Sequence, residues 1–290
     1  METKQRLAGQ TAIVFAAVLW STAGLFIKLI SWHPLHIAGG RSLIAAGFLF
    51  VFRLLTEKEP PDGHKKQALP PLILIGGSIN YALTMTLYVI ANKYTSSANA
   101  IVLQYTAPVW AALLGWLFLK EKPFWQQWVS LGMVGAGMLL FFRNGLGGGA
   151  FTGDILALVS GVTFGANSII LRKAKDQTPV DILLWANVMN ALLTVPFFII
   201  NPPVPTTGNI LGIFLFGTLQ LGAACAFFSY GIKKVTAVQA MLIASIEPVL
   251  NPVWVLLVTG EVPQKSTILG GCIIVTAVLF SSLAGRKTGA

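Results

Sequence analysis

Two ionisable side chains of this 290-residue chain stand deep inside apolar stretches: Arg41 in HIAGGRSLIAAGF and Glu247 in MLIASIEPVLNPVW. An ionised side chain at the centre of a bilayer costs roughly 2.5–3.5 kcal/mol even on lenient insertion scales, so neither group should face lipid. Glu247 is expected to line a central substrate cavity, where a carboxylate would bind a substrate amine or titrate as a proton site. Its alternative role is to prop its helix beside the break at Pro248. Arg41 comes early in its stretch, where a long side chain can snorkel to the membrane surface, and is expected to serve structure or gating.

Polar and aromatic groups share those stretches: Trp20, Asn80, Tyr81, Thr84, Tyr88, Gln104, Tyr105, Phe164, Asn167, Gln220 and Tyr230. An unpaired amide is disfavoured in lipid, so these groups should point inward. Tyr81, Thr84 and Tyr88 are spaced i, i+3, i+7, which makes one helix face both aromatic and polar. As a set they are expected to line the substrate path, their rings stacking on an aromatic or apolar solute. Each one singly could instead make an interhelical hydrogen bond. Pro108, Pro248 and Pro252 each remove a backbone donor in mid-stretch and are expected to kink or break their helices, shaping or gating a cavity. Carbonyls freed at membrane depth are tolerated where they line a wet space.

Other chemistries find no support in the residues. There is no His-Glu-x-x-His, no glycine-rich phosphate loop with a lysine after a strand, and no pair of carboxylates on one helix face. Gly147-Gly148-Gly149 reads as a flexible connector. His33, His36 and His64 lack an acidic cluster, so no metal site is expected. Cys225 and Cys272 lie in apolar runs as small buried residues, not as a disulfide frame. Neither an enzyme nor a cofactor is implied.

The elements that position these residues follow from composition. Hydrophobic residues make up 55% and charged residues 10%, and mean hydropathy is +0.74. A soluble domain carries about 25% charged residues, so this chain cannot coat a globule with charge. The runs long enough to cross a bilayer, roughly 20 residues each, fall at 10–30, 35–54, 70–91, 97–119, 125–142, 153–172, 181–200, 209–230, 236–259 and 265–284. The expectation is an all-α integral membrane protein with ten transmembrane helices and no aqueous domain.

Orientation comes from where Lys and Arg fall. With the N-terminus inside, the cytoplasmic side holds Lys4, Arg6, Arg53, Lys58, Lys65, Lys66, Lys120, Lys122, Arg172, Lys173, Lys175, Lys233, Lys234, Arg286 and Lys287. The opposite side holds only Lys28, Lys93, Arg143 and Lys265. Both termini are therefore expected in the cytoplasm. The net charge of +10 is a topology signal, and no basic patch interleaved with aromatics points to nucleic acid.

The chain repeats itself. A shift of 140 residues aligns KYTSSANAIVLQYTAPVWAALLGWLFLKEKP from Lys93 with KVTAVQAMLIASIEPVLNPVWVLLVTGEVP from Lys233. It pairs Pro108 with Pro248, Val109 with Val249, Glu121 with Glu261 and Pro123 with Pro263, and it pairs the amides Asn80 and Gln220. The expected units are residues 1–146 and 147–290. Five spans is an odd number, so the second copy enters from the other side: two inverted five-helix repeats around a central cavity, the architecture of transporters that bind solute near the midplane.

With these residues in order the chain resembles the drug/metabolite transporter superfamily, and within it the EamA-like ten-helix exporters. The resemblance rests on Trp20-Ser21, Pro34 followed by Arg41, Tyr94-Thr95-Ser96, Ala107-Pro108, Glu121, Gly153-Asp154, Glu247-Pro248 and Gly260-Glu261. It departs from the family pattern at Phe164, where Trp is frequent. The second half has no counterpart of Arg41, and Ala107 stands where the other half has Glu247. The resemblance implies export of small metabolites by alternating access, and it is most similar to bacterial inner-membrane exporters of amino acids, aromatic ones included. The partners implied are a small-molecule substrate and the lipid bilayer. Alternatives are other small organic solutes or drugs, then an integral-membrane enzyme or a non-transporting scaffold. Sugar phosphates are disfavoured, because they would want several Lys or Arg at the midplane.

Overall fold

The computed structural model describes residues 2–56, 69–95, 97–141, 151–259 and 265–284, and every regular element among them is helical. Among the described residues six helices are long and apolar enough to cross a bilayer: Leu35–Thr56, Pro71–Tyr88, Ala100–Leu119, Phe151–Lys173, Pro179–Ile200 and Thr207–Ile232. Ala237–Leu250 and Ile268–Phe280 are shorter apolar helices.

Ten rods follow one another, numbered here as spans. Span 1 is Glu2–Trp20 with Ala23–Leu29, span 2 is Pro34–Thr56 and span 3 is Pro71–Tyr94. Span 4 joins Ser97–Gln104 to Ala107–Leu114 and ends in a π-helical turn, Gly115–Leu119. Span 5 is Trp125–Phe141, span 6 Phe151–Lys173 and span 7 Pro179–Ile200. Span 8 runs through Thr207–Leu215, a π-helical stretch Phe216–Ala223 and Ala224–Ile232. Span 9 is Ala237–Ala244 with Glu247–Thr259, and span 10 is Lys265–Ala284.

Span 1 differs from its sequence expectation twice. It starts eight residues before the apolar run, and its first turns lie against the end of span 8, where a Cβ on Gly9 would come 3.2 Å from Gly231 O and 2.6 Å from Lys234 Cβ just beyond it. It is also interrupted at Ser21-Thr22. Both hydroxyls turn back onto the chain, Ser21 Oγ donating to Val18 O at 2.6 Å and Thr22 Oγ1 to Leu19 O at 2.7 Å. Such bonds offer the backbone an alternative to the helical ladder.

Spans 4 and 9 break at equivalent places, Tyr105-Thr106 and Ser245-Ile246. Pro108 and Pro248 each occupy the second position of the helix that restarts. There the missing N–H is not needed, while the ring prevents the preceding turn from continuing. Pro252 lies within Glu247–Thr259, but its side chain and that of Asn251 lie outside the described residues.

The packing is symmetric under exchange of spans 1–5 with spans 6–10. Span 2 lies along span 7, span 5 along span 10, and spans 4 and 9 meet each other. Span 3 packs on spans 6 and 7, as span 8 packs on spans 1 and 2. Rods five apart in an alternating chain run antiparallel, so the two-fold that exchanges them lies across the rods. That makes the two halves inverted repeats. Their seam is close: a Cβ on Gly161 would meet Leu103 O at 2.7 Å, and one on Gly165 would meet Ala107 O at 2.7 Å, at the break of span 4. Large apolar side chains cover the outside, with Leu72, Phe151 and Ile200 at least four-fifths exposed. Water would not tolerate such a surface, and hydrocarbon requires it.

Candidate functional site

The polar groups inside the bundle collect along the seam. Asn80 of span 3 donates through Nδ2 to Thr163 O at 2.9 Å and to Asn167 Oδ1 at 2.6 Å on span 6. Thr84 donates to Thr163 Oγ1 at 2.8 Å and accepts from Asn167 Nδ2 at 3.0 Å. Gln104 Nε2, one residue before the break of span 4, donates to Ser160 Oγ at 3.0 Å. Ser160, Thr163 and Asn167 form one polar stripe on span 6 at helical spacing. Ser160 and Thr163 were missed by the sequence reading, although that periodicity shows them.

On the other side of the seam Gln220, in the π-helical stretch of span 8, donates through Nε2 to Trp20 O at 3.2 Å. Trp254 Nε1 of span 9 donates to Ser21 Oγ at 2.7 Å. The break of span 1 is thus held by both neighbours. Trp254 had no signal in the sequence, because a Trp near a helix end reads as an interface anchor.

The two remaining breaks are joined directly. Tyr105 OH, at the break of span 4, donates to Glu247 Oε2 at 2.6 Å, at the restart of span 9. Phe164 stands edge-on to Tyr105, with ring centroids 6.4 Å apart. Tyr81 is buried, its hydroxyl 3.5 Å from Cys225 Sγ. Tyr88 is half-buried against a patch of small residues, Ala91, Ala100 and Ala157.

Arg41 does not snorkel. Its guanidinium lies 5.1 Å from the centroid of the Phe216 ring and its Nη2 is 3.9 Å from Met85 Sδ. Stacking on an aromatic face is a favoured environment for a poorly hydrated cation. Glu247, Tyr81, Tyr88 and Cys225 all lie within electrostatic reach of it. Three buried polar atoms here have no hydrogen-bond partner: Trp20 Nε1, Arg41 Nε and Gln220 Oε1. Leaving such atoms unmet costs roughly 1–3 kcal/mol each.

The structure therefore brings together Trp20, Arg41, Asn80, Tyr81, Thr84, Tyr88, Gln104, Tyr105, Phe164, Asn167, Gln220 and Glu247 along one seam. Tyr230 is not among them. It is 47% exposed on the outside of span 8, and the Lys234 ammonium sits 3.6 Å from its ring centroid and bonds its hydroxyl. No group of three or more His, Cys, Asp or Glu that could hold a metal ion occurs among the described residues.

Ion pairs across the seam occupy the end that carries most of the Lys and Arg. Arg172 Nε meets Glu121 Oε1 at 2.9 Å, and its Nη1 donates to Lys233 O at 2.7 Å and Ile232 O at 3.2 Å. Arg53 of span 2 meets Asp181 of span 7 at 2.7 Å.

Inverted five-rod halves, broken rods facing each other at mid-depth and a polar seam between them define a membrane carrier. The chain belongs to the EamA-like transporter family, which matches residues 7–143 and again 151–283. It is 27% identical to the uncharacterized transporter YdfC of Bacillus subtilis, over 93% of this chain and 89% of that protein. It is 28% identical to the uncharacterized inner membrane transporter YedA of Escherichia coli K12, over 98% and 93%. Solute carrier family 35 member G1 of Mus musculus is 25% identical over 94% and 79%. A solved crystal structure superposes with a TM-score of 0.81 at 19% identity, covering 99% of this chain and 100% of that one, which is a likeness of fold. The chain is thus a multi-pass membrane transporter.

Proposed function

We propose that this transporter exports amino acids, aromatic ones included, by alternating access along the polar seam. One observation carries the reading: inside the bundle a cation, Arg41, lies within electrostatic reach of the Glu247 carboxyl, and Trp20 Nε1, Arg41 Nε and Gln220 Oε1 are unmet. A zwitterion matches both signs at once. Arg41 and Trp20 Nε1 supply donors for a carboxylate, and Glu247 with Gln220 Oε1 supplies acceptors for an ammonium. Phe164 and Tyr105 offer aromatic faces for the side chain. A singly charged solute would leave one of the two protein charges uncompensated, which disfavours anionic or cationic drugs.

In this reading the halves rock about the seam while the breaks of spans 1, 4 and 9 flex. Glu247 is the acid placed to couple transport to a proton gradient. The distribution of Lys and Arg supports cytoplasmic termini and, with the YedA likeness, a bacterial inner membrane. Residues 1–146 and 147–290 are the two rocking units.

Proteoliposomes test this with labelled phenylalanine, threonine and methionine. Saturable flux above that of protein-free vesicles is expected, with Glu247→Gln removing its dependence on a pH gradient. Flux of none of the three refutes the amino-acid reading, and unchanged pH dependence in Glu247→Gln refutes the coupling role.

A further inference from the structure

The outer surface carries a built groove that the transport site does not use. Span 1 contributes Lys4, Leu7, Ala8, Thr11, Ala12 and Phe15, every one on a single face at helical spacing. Span 8 forms the opposite wall with Ala223, Ala226, Phe227 and Tyr230, and span 2 closes the floor with Phe48 and Phe52. The groove encloses about 820 Å³. Phe15 and Phe227 stack at its inner end, with centroids 5.6 Å apart.

Its two ends differ in chemistry. The inner end is wholly apolar. The outer end carries Lys4, which is exposed, and Lys234, which folds over Tyr230. Lys4 lines the groove directly, and Lys234 reaches it by lying over the ring of Tyr230, which lines it too, so both lysines border the outer end. Lys4 to Phe15 is eleven residues, or about 17 Å of helix, close to the roughly 15 Å of hydrocarbon in one leaflet. The groove is therefore one acyl chain deep, open to lipid, and positive where a head group would lie. The positive-inside bias places that mouth at the cytoplasmic leaflet, the leaflet whose anionic lipids attract basic sites between transmembrane helices.

We propose that this groove binds one anionic phospholipid, its phosphate between Lys4 and Lys234 and an acyl chain lying under Phe15, Phe48, Phe52 and Phe227. The site belongs to one half only. Phe164 of span 6 stands where span 1 has Trp20; carried along the sequence, that pairing puts Gly148 at the place of Lys4, Phe151 at the place of Leu7 and Val159 at the place of Phe15. The proposal does not depend on the transported solute.

The test is native mass spectrometry of the full chain in detergent, titrated with phosphatidylglycerol or phosphatidylcholine. One retained phosphatidylglycerol per chain is expected, with weaker phosphatidylcholine retention. Lys4→Gln with Lys234→Gln should weaken phosphatidylglycerol at least tenfold and leave phosphatidylcholine unchanged, since each surface cation adds attraction for anionic lipid only. Lys4→Arg with Lys234→Arg, which keeps both charges, should bind as the parent does. Ala226→Phe, which fills the groove, should weaken both lipids. Monodisperse, fully helical variants establish that folding is intact. Equal retention of the two lipids, or unchanged phosphatidylglycerol retention in the double Gln variant, overturns the proposal. So does a dimer peak that replaces the lipid-bound one and is lost in Ala226→Phe, because a second copy is then the occupant.

Discussion

Replacing Arg172 by Met keeps the aliphatic stem and removes the fork that ties span 6 to the connection between spans 4 and 5 and to the end of span 8. Three bonds are lost: to Glu121 Oε1 at 2.9 Å, to Lys233 O at 2.7 Å and to Ile232 O at 3.2 Å. The side chains of Arg172 and Glu121 are 14% and 24% exposed. A solvent-exposed pair is worth about 0–1 kcal/mol, and breaking a fully buried one costs about 3–5 kcal/mol. Partial exposure places Arg172→Met between these, at about 2 kcal/mol. Glu121→Gln retains an acceptor oxygen for the fork and loses the charge, so about 1 kcal/mol is expected. Most of what Glu121 contributes passes through Arg172, because its other contact, from Ala237 N, is long at 3.4 Å. The double variant should thus be little worse than Arg172→Met, leaving an interaction energy of about 1 kcal/mol. Thermal unfolding of the four proteins in one detergent measures it, followed by helical signal and monodispersity. Additive costs, or an Arg172→Met cost below about 0.5 kcal/mol, would show that the fork is a surface ornament.

Glycines separate the seam from the lipid face. Gly161→Ala places a Cβ 2.7 Å from Leu103 O and from Thr106 Oγ1, closer than real Cβ atoms come, and should destabilise the fold by more than 2 kcal/mol. Gly132→Ala meets nothing within 4 Å and should stabilise its helix by about 0.5–1 kcal/mol. Unfolding midpoints moving in the same direction for both would contradict the packing. Lys120 ends span 4 with φ of 56°, the one positive φ among the described non-glycine residues, and the repeat puts Gly260 at its place. Lys120→Gly should therefore raise stability by about 1 kcal/mol in the same assay, and a lowered midpoint would mean that Lys120 makes a compensating contact.

The legible part of this molecule was the part set by long-range averages. Hydropathy located every rod but the start of span 1 to within a few residues, since twenty apolar residues leave a segment little alternative to crossing a bilayer. The proline pair disclosed the breaks of spans 4 and 9, because proline acts on backbone geometry whatever its surroundings. The break in span 1 was not legible. It comes from Ser21 and Thr22 bonding back to Val18 and Leu19, and Ser or Thr elsewhere does the same without breaking a helix, as Thr11 does to Leu7 O. Partners across the seam were likewise hidden: Trp254 with Ser21 and Tyr105 with Glu247 are 233 and 142 residues apart. Arg41 was misplaced for a related reason. Its position in the stretch suggested snorkelling, and only the placement of Phe216 and Met85 turns it inward.

The seam is symmetric in architecture and unequal in chemistry, and the inequality bears on how a carrier of this shape would move. Between spans 3 and 6, Asn80, Thr84, Thr163 and Asn167 satisfy one another in a closed network. Separating these rods would break several bonds in a low-dielectric setting at once. Between spans 8 and 1 the matching amide, Gln220, makes one bond, to Trp20 O, and leaves its Oε1 unmet, as the Trp20 Nε1 is. Those rods share fewer side-chain hydrogen bonds at this level and are held by ring and glycine packing instead, and a solute entering there satisfies atoms that the protein does not. On the alternating-access reading, the unmet atoms between spans 1 and 8 are where a solute would bind, opposite the closed network of spans 3 and 6. Arg41 lies over Phe216 at the start of the π-helical stretch of span 8, so motion of that stretch would carry the cation's aromatic platform with it. A π-helical stretch, with its ladder already slack, is the element of the bundle that yields most easily to such a shift.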